Sequence, residues 1–478
     1  MRALNVGYTS ICRLCALLAL PLIVIALTST PINPSGWPSR FPAKDHCSRC
    51  GLCETTLVSH VTDACAFLGD GMGRIDGLED EVHGRRREDD LFWSKNDKVI
   101  NPSKQDEGRF GVLSQPIALA RGVETEAQWT GVVTGIAAAA LEGGLVDAVV
   151  CVASGGMDSD FADPDPIVAR TVEDVMRGRG VKPSLSPSLR VLDEVREDPA
   201  IRRLLFCGVG CAVQALRSVE KDLGLEELFV LGTNCADNSP TPQAAKNFLE
   251  AGVGVDDVSA VKGYEFMQDF RVHVKTDSEY TKKPYFCLPG TVAAPSIATS
   301  CLACFDYMNS LADVVVGYMG APLPKGGRMD HADQTLTVRN TKGASLVDNA
   351  IARNRLNIQN PVAGGSGKHE KLASATVAKD SVIMSIIDEN IPEKGMPRLA
   401  GEVMATVLGG LGPKGVAFAR YSLDYHVLRN YLHVVSEWGE NRANKHMPKY
   451  ARDMVEEYTL NDEQFRTTRK AVLAKSKQ

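Results

Sequence analysis

The sequence lacks a surplus of positive charge: 53 Lys and Arg stand against 59 Asp and Glu, a formal net charge of −6. An acidic chain exerts no long-range pull on a phosphate backbone, so no nucleic-acid partner is expected. It also lacks an unbroken apolar run of the roughly 20 residues that span a bilayer. The N-terminal run from Leu14 to Leu27 is shorter and is interrupted by Pro21. No internal repeat is present, which removes solenoid and propeller architectures. No G-x-G-x-x-G fingerprint follows a first strand, so a flavin or dinucleotide site cannot be read from that spacing.

What stands at the N-terminus is Arg2 and Arg13, the apolar run, Thr28-Ser29-Thr30, and a Pro/Ser/Gly-rich stretch to Pro42. That is the layout of a signal-like targeting segment rather than an anchor, and residues 1–42 are set apart from the fold. There are 13 cysteines, of which Cys12 and Cys15 fall in this segment. Clustered cysteines in a large acidic chain point to metal ligation, whereas a disulfide framework belongs to short secreted domains. A signal-like leader and reduced cysteines agree if the leader is the first stage of delivery to an organelle with a reducing interior.

With 478 residues and 44% hydrophobic side chains, the chain can bury a large core. Residues 43–110 combine a cysteine-rich loop segment with a charged stretch from 76 to 110, which reads as a surface insertion. Then the texture alternates. Trp129 to Gly144 reads as a helix, Val146 to Val152 as a buried strand, Leu204 to Val209 as another, Ala212 to Leu223 as an amphipathic helix, and Leu228 to Leu231 as a third strand. Such alternation predicts an α/β fold with a parallel sheet and flanking helices. Beyond Gly263, Tyr264 to Val274 and Pro284 to Leu288 flank a polar turn at Thr276-Asp277-Ser278, so the sheet is expected to be mixed. Residues 324–400, with Gly364-Gly365-Ser366-Gly367, read as flexible connections. A C-terminal helical region follows from about Arg398; its apolar helix, Leu399 to Leu411, is expected to pack on the core, with a membrane as the other option. The boundaries drawn are 1–42, 43–110, 111–203, 204–380 and 381–478.

The first chemical constellation is Cys47-Ser-Arg-Cys50-Gly-Leu-Cys53, with Cys65 eleven intervening residues later. Three thiolates at two-residue spacing wrap one face of a cubane cluster, and a fourth closes it. A four-cysteine zinc site is the alternative, although zinc sites usually use separated C-x2-C pairs. The second set is Cys211, Cys235 and the pair Cys301 and Cys304. Cys211 and Cys235 each follow the carboxyl end of a predicted strand, where open α/β sheets place their ligands. Cys151, Cys207 and Cys287 sit within apolar runs and read as core residues. A helix N-terminus at Trp129 to Thr134 offers N–H groups to a phosphate. Thr130, Gly131 and Thr134, with Lys182, Ser186 and Asn234, are therefore the candidate flavin residues. Candidate proton donors are Tyr264, Glu265, Asp269 and His273, half of which strand alternation would turn away from any one site. Arg85-Arg86-Arg87 is either a solvated loop or a docking patch for an acidic protein.

Several motifs occur together and in order: Cys47 to Cys53, Asp63-Ala-Cys-Ala-Phe-Leu-Gly69, Gln128-Trp-Thr-Gly131, Leu205-Phe-Cys-Gly-Val-Gly-Cys211, Gly232-Thr-Asn-Cys235, Tyr264-Glu-Phe-Met-Gln-Asp-Phe270, Ser300-Cys-Leu-Ala-Cys-Phe-Asp-Tyr307 and Ala419-Arg-Tyr-Ser-Leu-Asp-Tyr-His426. From residue 46 to about 460 the chain resembles the coenzyme F420 hydrogenase/dehydrogenase beta-subunit family, in particular its members that reduce chlorophyll-type tetrapyrroles. The resemblance implies FAD, two 4Fe-4S clusters and reduced ferredoxin as electron donor. Cys211, Cys235, Cys301 and Cys304 match the cluster cysteines of the wider family; Cys47, Cys50, Cys53 and Cys65 match an additional N-terminal cluster. Residues 111–203 then correspond to the family's N-terminal flavoprotein domain and 204–380 to its C-terminal domain. The sequence departs from the pattern in the longer stretch from Glu88 to Arg109, at Ala212 where glutamine is usual, and over 324–400.

The expected reaction is reduction of 7-hydroxymethyl chlorophyll a to chlorophyll a, favoured by the Gly-Thr-Asn-Cys form at Cys235 and by Trp438 to Asn444. Reduction of the 8-vinyl group of divinyl tetrapyrroles is the runner-up. A non-catalytic electron-transfer subunit is the third reading. A plastid location, a peripheral position at the thylakoid membrane and a homo-oligomer are compatible with each.

Overall fold

The computed structural model describes residues 43–88, 106–124, 127–155, 160–318, 320–324 and 327–476. The chain divides into two units, Met1–Lys44 and Asp45–Gln478, and the elements below belong to the second. The targeting segment 1–42 and the middle of the charged stretch, 89–105, lie outside the described residues.

Eight strands form the main sheet: β1 (Ala118–Gly122), β2 (Ala148–Gly155), β3 (Asp160–Ala169), β4 (Arg203–Gly208), β5 (Glu227–Thr233), β9 (Val314–Gly317), β10 (Gln334–Val338) and β11 (Leu356–Asn360). Three more, β6 (Val261–Met267), β7 (Arg271–Thr276) and β8 (Tyr280–Pro284), form a separate antiparallel meander. The main sheet runs β11-β1-β10-β9-β5-β4-β2-β3. The four strands β2, β4, β5 and β9 are mutually parallel, and the flanking pairs are antiparallel. Val149, Val150, Leu204, Leu205, Phe206, Val230, Leu231 and Val314 are fully buried there, as expected for strands covered on both faces. The helices Val132–Glu142 and Thr341–Ala352 join one apolar cluster through Ile136, Ala137–Ala140, Leu346 and Val347 against Leu205, Phe229, Leu231 and Val316. The fold is thus mixed α/β with flanking helices, as the sequence pattern predicts.

Because β1 is antiparallel to β10, and β10 to β9, β1 runs in the same direction as the parallel core. The carboxyl ends of β1, β2, β4, β5 and β9 therefore share one edge. Glycine ends β1 for a local reason: a Cβ on Gly122 would meet the Thr130 carbonyl oxygen at 2.5 Å, so the segment before the Val132 helix folds directly over the strand end.

Four expectations are corrected. Residues 324–400 are not mainly flexible connections, since they supply β10, β11 and the helices Thr341–Ala352, Glu370–Val377 and Ser381–Ile386. Asn340 caps the first of these by accepting the Gly343 N–H, and even Gly365–Ser366 pairs with Lys414–Gly415. Tyr264 to Val274 is two strands joined by a turn at Gln268–Phe270, with Phe270 at φ 60, and Tyr285–Cys287 is a 3-10 turn rather than strand.

The third concerns the charged stretch, which begins as a packed helix, Ile75–His83. There Arg87 is buried in an ion pair with Glu79 and lies over the Tyr450 ring at 4.4 Å, so it is not a docking residue; Arg85 pairs with Glu107. Finally, the apolar helix Arg398–Leu411 presents its large side chains to solvent instead of the core.

The C-terminal region is helical as expected, built on Val416–Trp438, Glu440–His446, Lys449–Asn461 and Glu463–Lys475. A buried network ties it to the sheet domain. Asp424 takes Arg109 Nε at 2.9 Å, His369 Nε2 at 3.1 Å and the Tyr458 hydroxyl at 2.7 Å, while Asp106 binds Arg109 and Arg420.

Candidate cofactor and active site

Cys65 lies within electrostatic reach of Cys47, Cys50 and Cys53, and Cys211 lies within reach of Cys235, Cys301 and Cys304. The two sets adjoin, because Cys211 lies within electrostatic reach of both Cys50 and Cys65, with Ser48 nearby. The topology explains the second set: Cys211 follows β4, Cys235 follows β5, and the turn Cys301–Ala303 precedes β9. The first set is seated by Gly51, whose φ of 89 and missing Cβ allow close approach to Pro187 and Arg190, and by the Leu189 N–H donating to the Cys50 carbonyl at 2.7 Å.

All eight thiols are reduced. Cys50, Cys211, Cys235 and Cys304 are half-buried and surrounded by protein. Burial pushes every one of them up, Cys53 and Cys211 to about 11, so the thiolate form needs a bound cation to stabilise it. N–H groups already point at sulfur: Arg49 to Cys47 at 3.3 Å, and Asn238 to Cys301 at 3.3 Å. Among the described residues no group of three or more His, Cys, Asp or Glu closes around a single metal ion. Two adjoining sets of four thiols in enclosed space fit a pair of cubane clusters, whose corners hold thiolates farther apart than the ligands of one ion.

The C-terminal helices clamp these loops, a role that sequence reasoning did not anticipate. Asn430 donates to the carbonyls of Cys301 and Cys304 at 2.9 and 2.6 Å, and His446 Nε2 meets the Ala303 carbonyl at 2.7 Å. Arg429 holds Asp237, two residues after Cys235, through a forked pair at 2.8 and 2.9 Å. Burial alone would raise the Asp237 carboxyl, but Arg429 and His426 hold it well below the usual carboxylate range. Near the other set, His46 packs against Trp438 and His433 at 4.6 and 5.8 Å.

At the shared strand edge, Trp129 after β1 and Tyr318 after β9 stack with centroids 4.9 Å apart and planes 14° apart. The Tyr318 hydroxyl stands near Glu265, which is hemmed in by protein but keeps some accessible surface. Burial raises the Glu265 carboxyl to about 7, against the lowering from Tyr318 and the Phe266 N–H. Glu265 also lies within electrostatic reach of Cys235, which links this carboxyl to the second thiol set. The position of Tyr318, directly past a parallel strand, is the one signal that could have found it from sequence.

Strand register separates the four proton-donor candidates. Glu265 and His273 are direct partners across β6 and β7 and share a face of the meander. Tyr264 lies on the opposite face against Phe248, at 5.5 Å, and is part of a different apolar cluster. Asp269 sits in the turn, with both carboxylate oxygens 3.0 Å from His273 Nε2. Tyr280 accepts the Met329 N–H at 2.7 Å, so its own hydrogen is directed to His273 Nδ1 at 2.8 Å. That leaves Nε2–H to donate to Asp269. Burial lowers the His273 ring despite Asp269, which favours this neutral tautomer.

The flavin candidates divide. Thr130, Gly131 and Thr134 gather at the N-terminus of the Val132–Glu142 helix, where the first N–H groups have no intrahelical acceptor. Gly131, at φ 78, turns the chain into that helix. Asn234 lies beside Gly317 at the ends of β5 and β9, and Ser186 bonds Ser188 close to the first cysteine loop. Lys182 is corrected: its ammonium donates to the carbonyls of Gly178, Arg179 and Gly180, closing the turn after the Val172–Arg177 helix, and is not directed at an anion. Burial lowers it to about 8.

Two family models match, both of the coenzyme F420 hydrogenase/dehydrogenase beta subunit: that of its N-terminal part over residues 118–193, and that of its C terminus over residues 201–363. The chain belongs to this family. A chloroplastic 7-hydroxymethyl chlorophyll a reductase from Oryza sativa subsp. japonica is 47% identical over 90% of this chain and 85% of its own length. An uncharacterized protein of Nostoc sp. is 40% identical over 88% and 96%. The coenzyme F420 hydrogenase subunit beta of Methanosarcina barkeri is 26% identical over 41% and 66%.

Proposed function

We propose that this chain is an oxidoreductase of chlorophyll metabolism that reduces 7-hydroxymethyl chlorophyll a to chlorophyll a in the plastid, with reduced ferredoxin as electron donor. The 47% identity to the rice reductase over 90% of the chain supports the substrate class. The observation that carries the chemistry is Glu265, a raised carboxyl beside Tyr318 and within reach of the Cys235 thiol set.

Replacing the hydroxyl of a hydroxymethyl group by hydrogen consumes two electrons and two protons and releases water. Cys47, Cys50, Cys53 and Cys65 would hold one 4Fe-4S cluster, Cys211, Cys235, Cys301 and Cys304 a second, and Thr130, Gly131 and Thr134, with Ser186 and Asn234 nearby, would hold FAD. When bound, these groups supply one-electron relay and two-electron delivery. The rest falls to side chains. Glu265, whose carboxyl burial raises toward neutrality, donates a proton to the departing hydroxyl so that water leaves. Tyr318 orients that carboxyl, and its stack on Trp129 gives the site a flat wall suited to a planar ring. Asp269, His273 and Tyr280 form a hydrogen-bonded chain on the same face of the meander as Glu265.

The test is an anaerobic assay of the reconstituted protein with reduced ferredoxin, offering 7-hydroxymethyl chlorophyll a and divinyl protochlorophyllide separately. Turnover of the first alone is expected. Turnover of the second alone would move the protein to 8-vinyl reduction, and turnover of neither with clusters and flavin in place would favour a non-catalytic role in electron transfer.

A further inference from the structure

The helix Arg398–Leu411 is inside out. Gly401 and Ala405 face the protein, with the Cys287 sulfur so close to Gly401 that a Cβ there would meet it at 2.2 Å. The large side chains face away: Leu399 is 80% exposed, Val403 58%, Val407 46% and Leu411 84%, and Met396 and Met404 add to them. At 100° per residue, Leu399, Val403, Val407, Leu411 and Met404 fall on one arc. A helix that only needed to pack on the core would turn the other way.

The charges around the stripe choose an occupant. From Glu393 to Lys414 the acidic side chains are Glu393, beside Lys394, and Glu402, which is held by Arg271 at 2.9 Å. Lys394 and Arg398 stand exposed at one end of the stripe and Lys414 at the other. In a chain of net charge −6, an apolar arc flanked by three exposed bases against the single unpaired acid Glu393 matches the surface of an anionic bilayer. Among the described residues no helix is long and apolar enough to cross a membrane, so the contact is one of lying on the surface.

We infer that the Arg398–Leu411 helix is a membrane-docking element, which lays Leu399, Val403, Val407 and Leu411 into the interface of an anionic bilayer. This rests on the proposed function only in the use it would serve. A pigment carrying a long hydrocarbon tail resides in a membrane, and the helix lies against the turn that carries Asp269, with Gly409 next to Asp269 and Gly412 next to Phe270.

The experiment is vesicle flotation of the chain from residue 43 onward, which contains the whole unit Asp45–Gln478 and leaves out the apolar run of the leader. Vesicles of phosphatidylcholine with phosphatidylglycerol are compared with phosphatidylcholine alone. The protein should float with the anionic vesicles. The variant L399S/V403S/V407S/L411S should stay at the bottom while keeping its melting temperature and its turnover of detergent-solubilised pigment. The variant K394Q/R398Q/K414Q should lose the preference for phosphatidylglycerol. Absence of wild-type flotation overturns the inference, as does equal flotation of the serine variant. So does light scattering in which wild type is an oligomer, the serine variant a monomer, and neither floats, since the stripe would then face a second copy of the chain. Flotation reports nothing about which pigment is reduced, so its failure and failure of the proposed function remain distinct.

Discussion

The Tyr318 hydroxyl stands near the Glu265 carboxyl, and these residues come from different sheets: Tyr318 directly follows β9 of the main sheet, whereas Glu265 sits in β6 of the meander. Their proximity therefore brings the cysteine-bearing strand edge near the face of the meander that also carries His273. A carboxyl so placed has little solvent to stabilise its charge, which is why burial outweighs the lowering by Tyr318 and the Phe266 N–H and raises it to about 7.

If Glu265 is the proton donor, turnover needs its neutral form, and activity should decline as pH rises through about 7. Glu265→Gln should lower kcat by about 10²–10⁴-fold and flatten that alkaline limb, the range typical of a lost general acid. Iron and flavin content should be unchanged. A pH profile of kcat for both proteins decides the matter; an identical alkaline limb in the variant would remove Glu265 from the reaction. The stability effect has its own sign. A carboxyl raised in the folded state binds more protons there than in the unfolded chain, so between about 4.5 and 7 its contribution falls as pH rises.

The two cysteine sets make separable predictions. Cys47→Ser should cut iron and acid-labile sulfide by about half while the second set keeps its cluster, since on the proposed assignment each set would hold its cluster with its own four thiols. Anaerobic purification followed by iron analysis and visible absorption checks this. A colourless wild-type protein with one zinc per first set would reinstate the zinc reading.

Much of this was legible in the chain, for physical reasons. The parallel strands β2, β4 and β5 are covered on both faces, so each is written as an apolar run that composition alone reveals. The cysteine loops were visible as motifs because their spacing is local. By contrast, β11 buries only Leu356 and is held by backbone pairing with β1, so it carries no alternation to detect. The turn inside Tyr264 to Val274 uses Phe270 in the left-handed region, with no glycine or asparagine to announce it. Arg87 looked like surface because its partner Glu79 and the Tyr450 ring are brought to it only by folding.

Gly131 should be essential for flavin retention. Its φ of 78 and the Glu124 Cβ, which a new Cβ would meet at 2.5 Å, leave no place for a side chain. Gly131→Ala carries a left-handed penalty on the order of 1–2 kcal/mol and displaces the N-terminus of the Val132–Glu142 helix. Bound flavin, measured after denaturing release, should fall severalfold at unchanged iron content. Full flavin retention would place the cofactor elsewhere on the strand edge.

Asp424 should be the main determinant of acid stability in the C-terminal region. Burial works against its charge, but Arg109 and His369 hold the carboxyl well below the usual carboxylate range. A depressed carboxyl contributes stability above its unfolded value of about 3.9 and loses that contribution as pH falls toward the folded value. Wild type should therefore destabilise steeply on acidification. Asp424→Asn leaves the buried Arg109 guanidinium with Asp106 alone, and removing one partner of a buried pair costs roughly 3–5 kcal/mol. Urea unfolding at neutral and acidic pH should give that loss at pH 7 and a shallower acid dependence in the variant. Equal stability of the two proteins at neutral pH would mean that the helical region is held by its apolar contacts around Tyr458, Phe465 and Val472, with the ion network contributing nothing net.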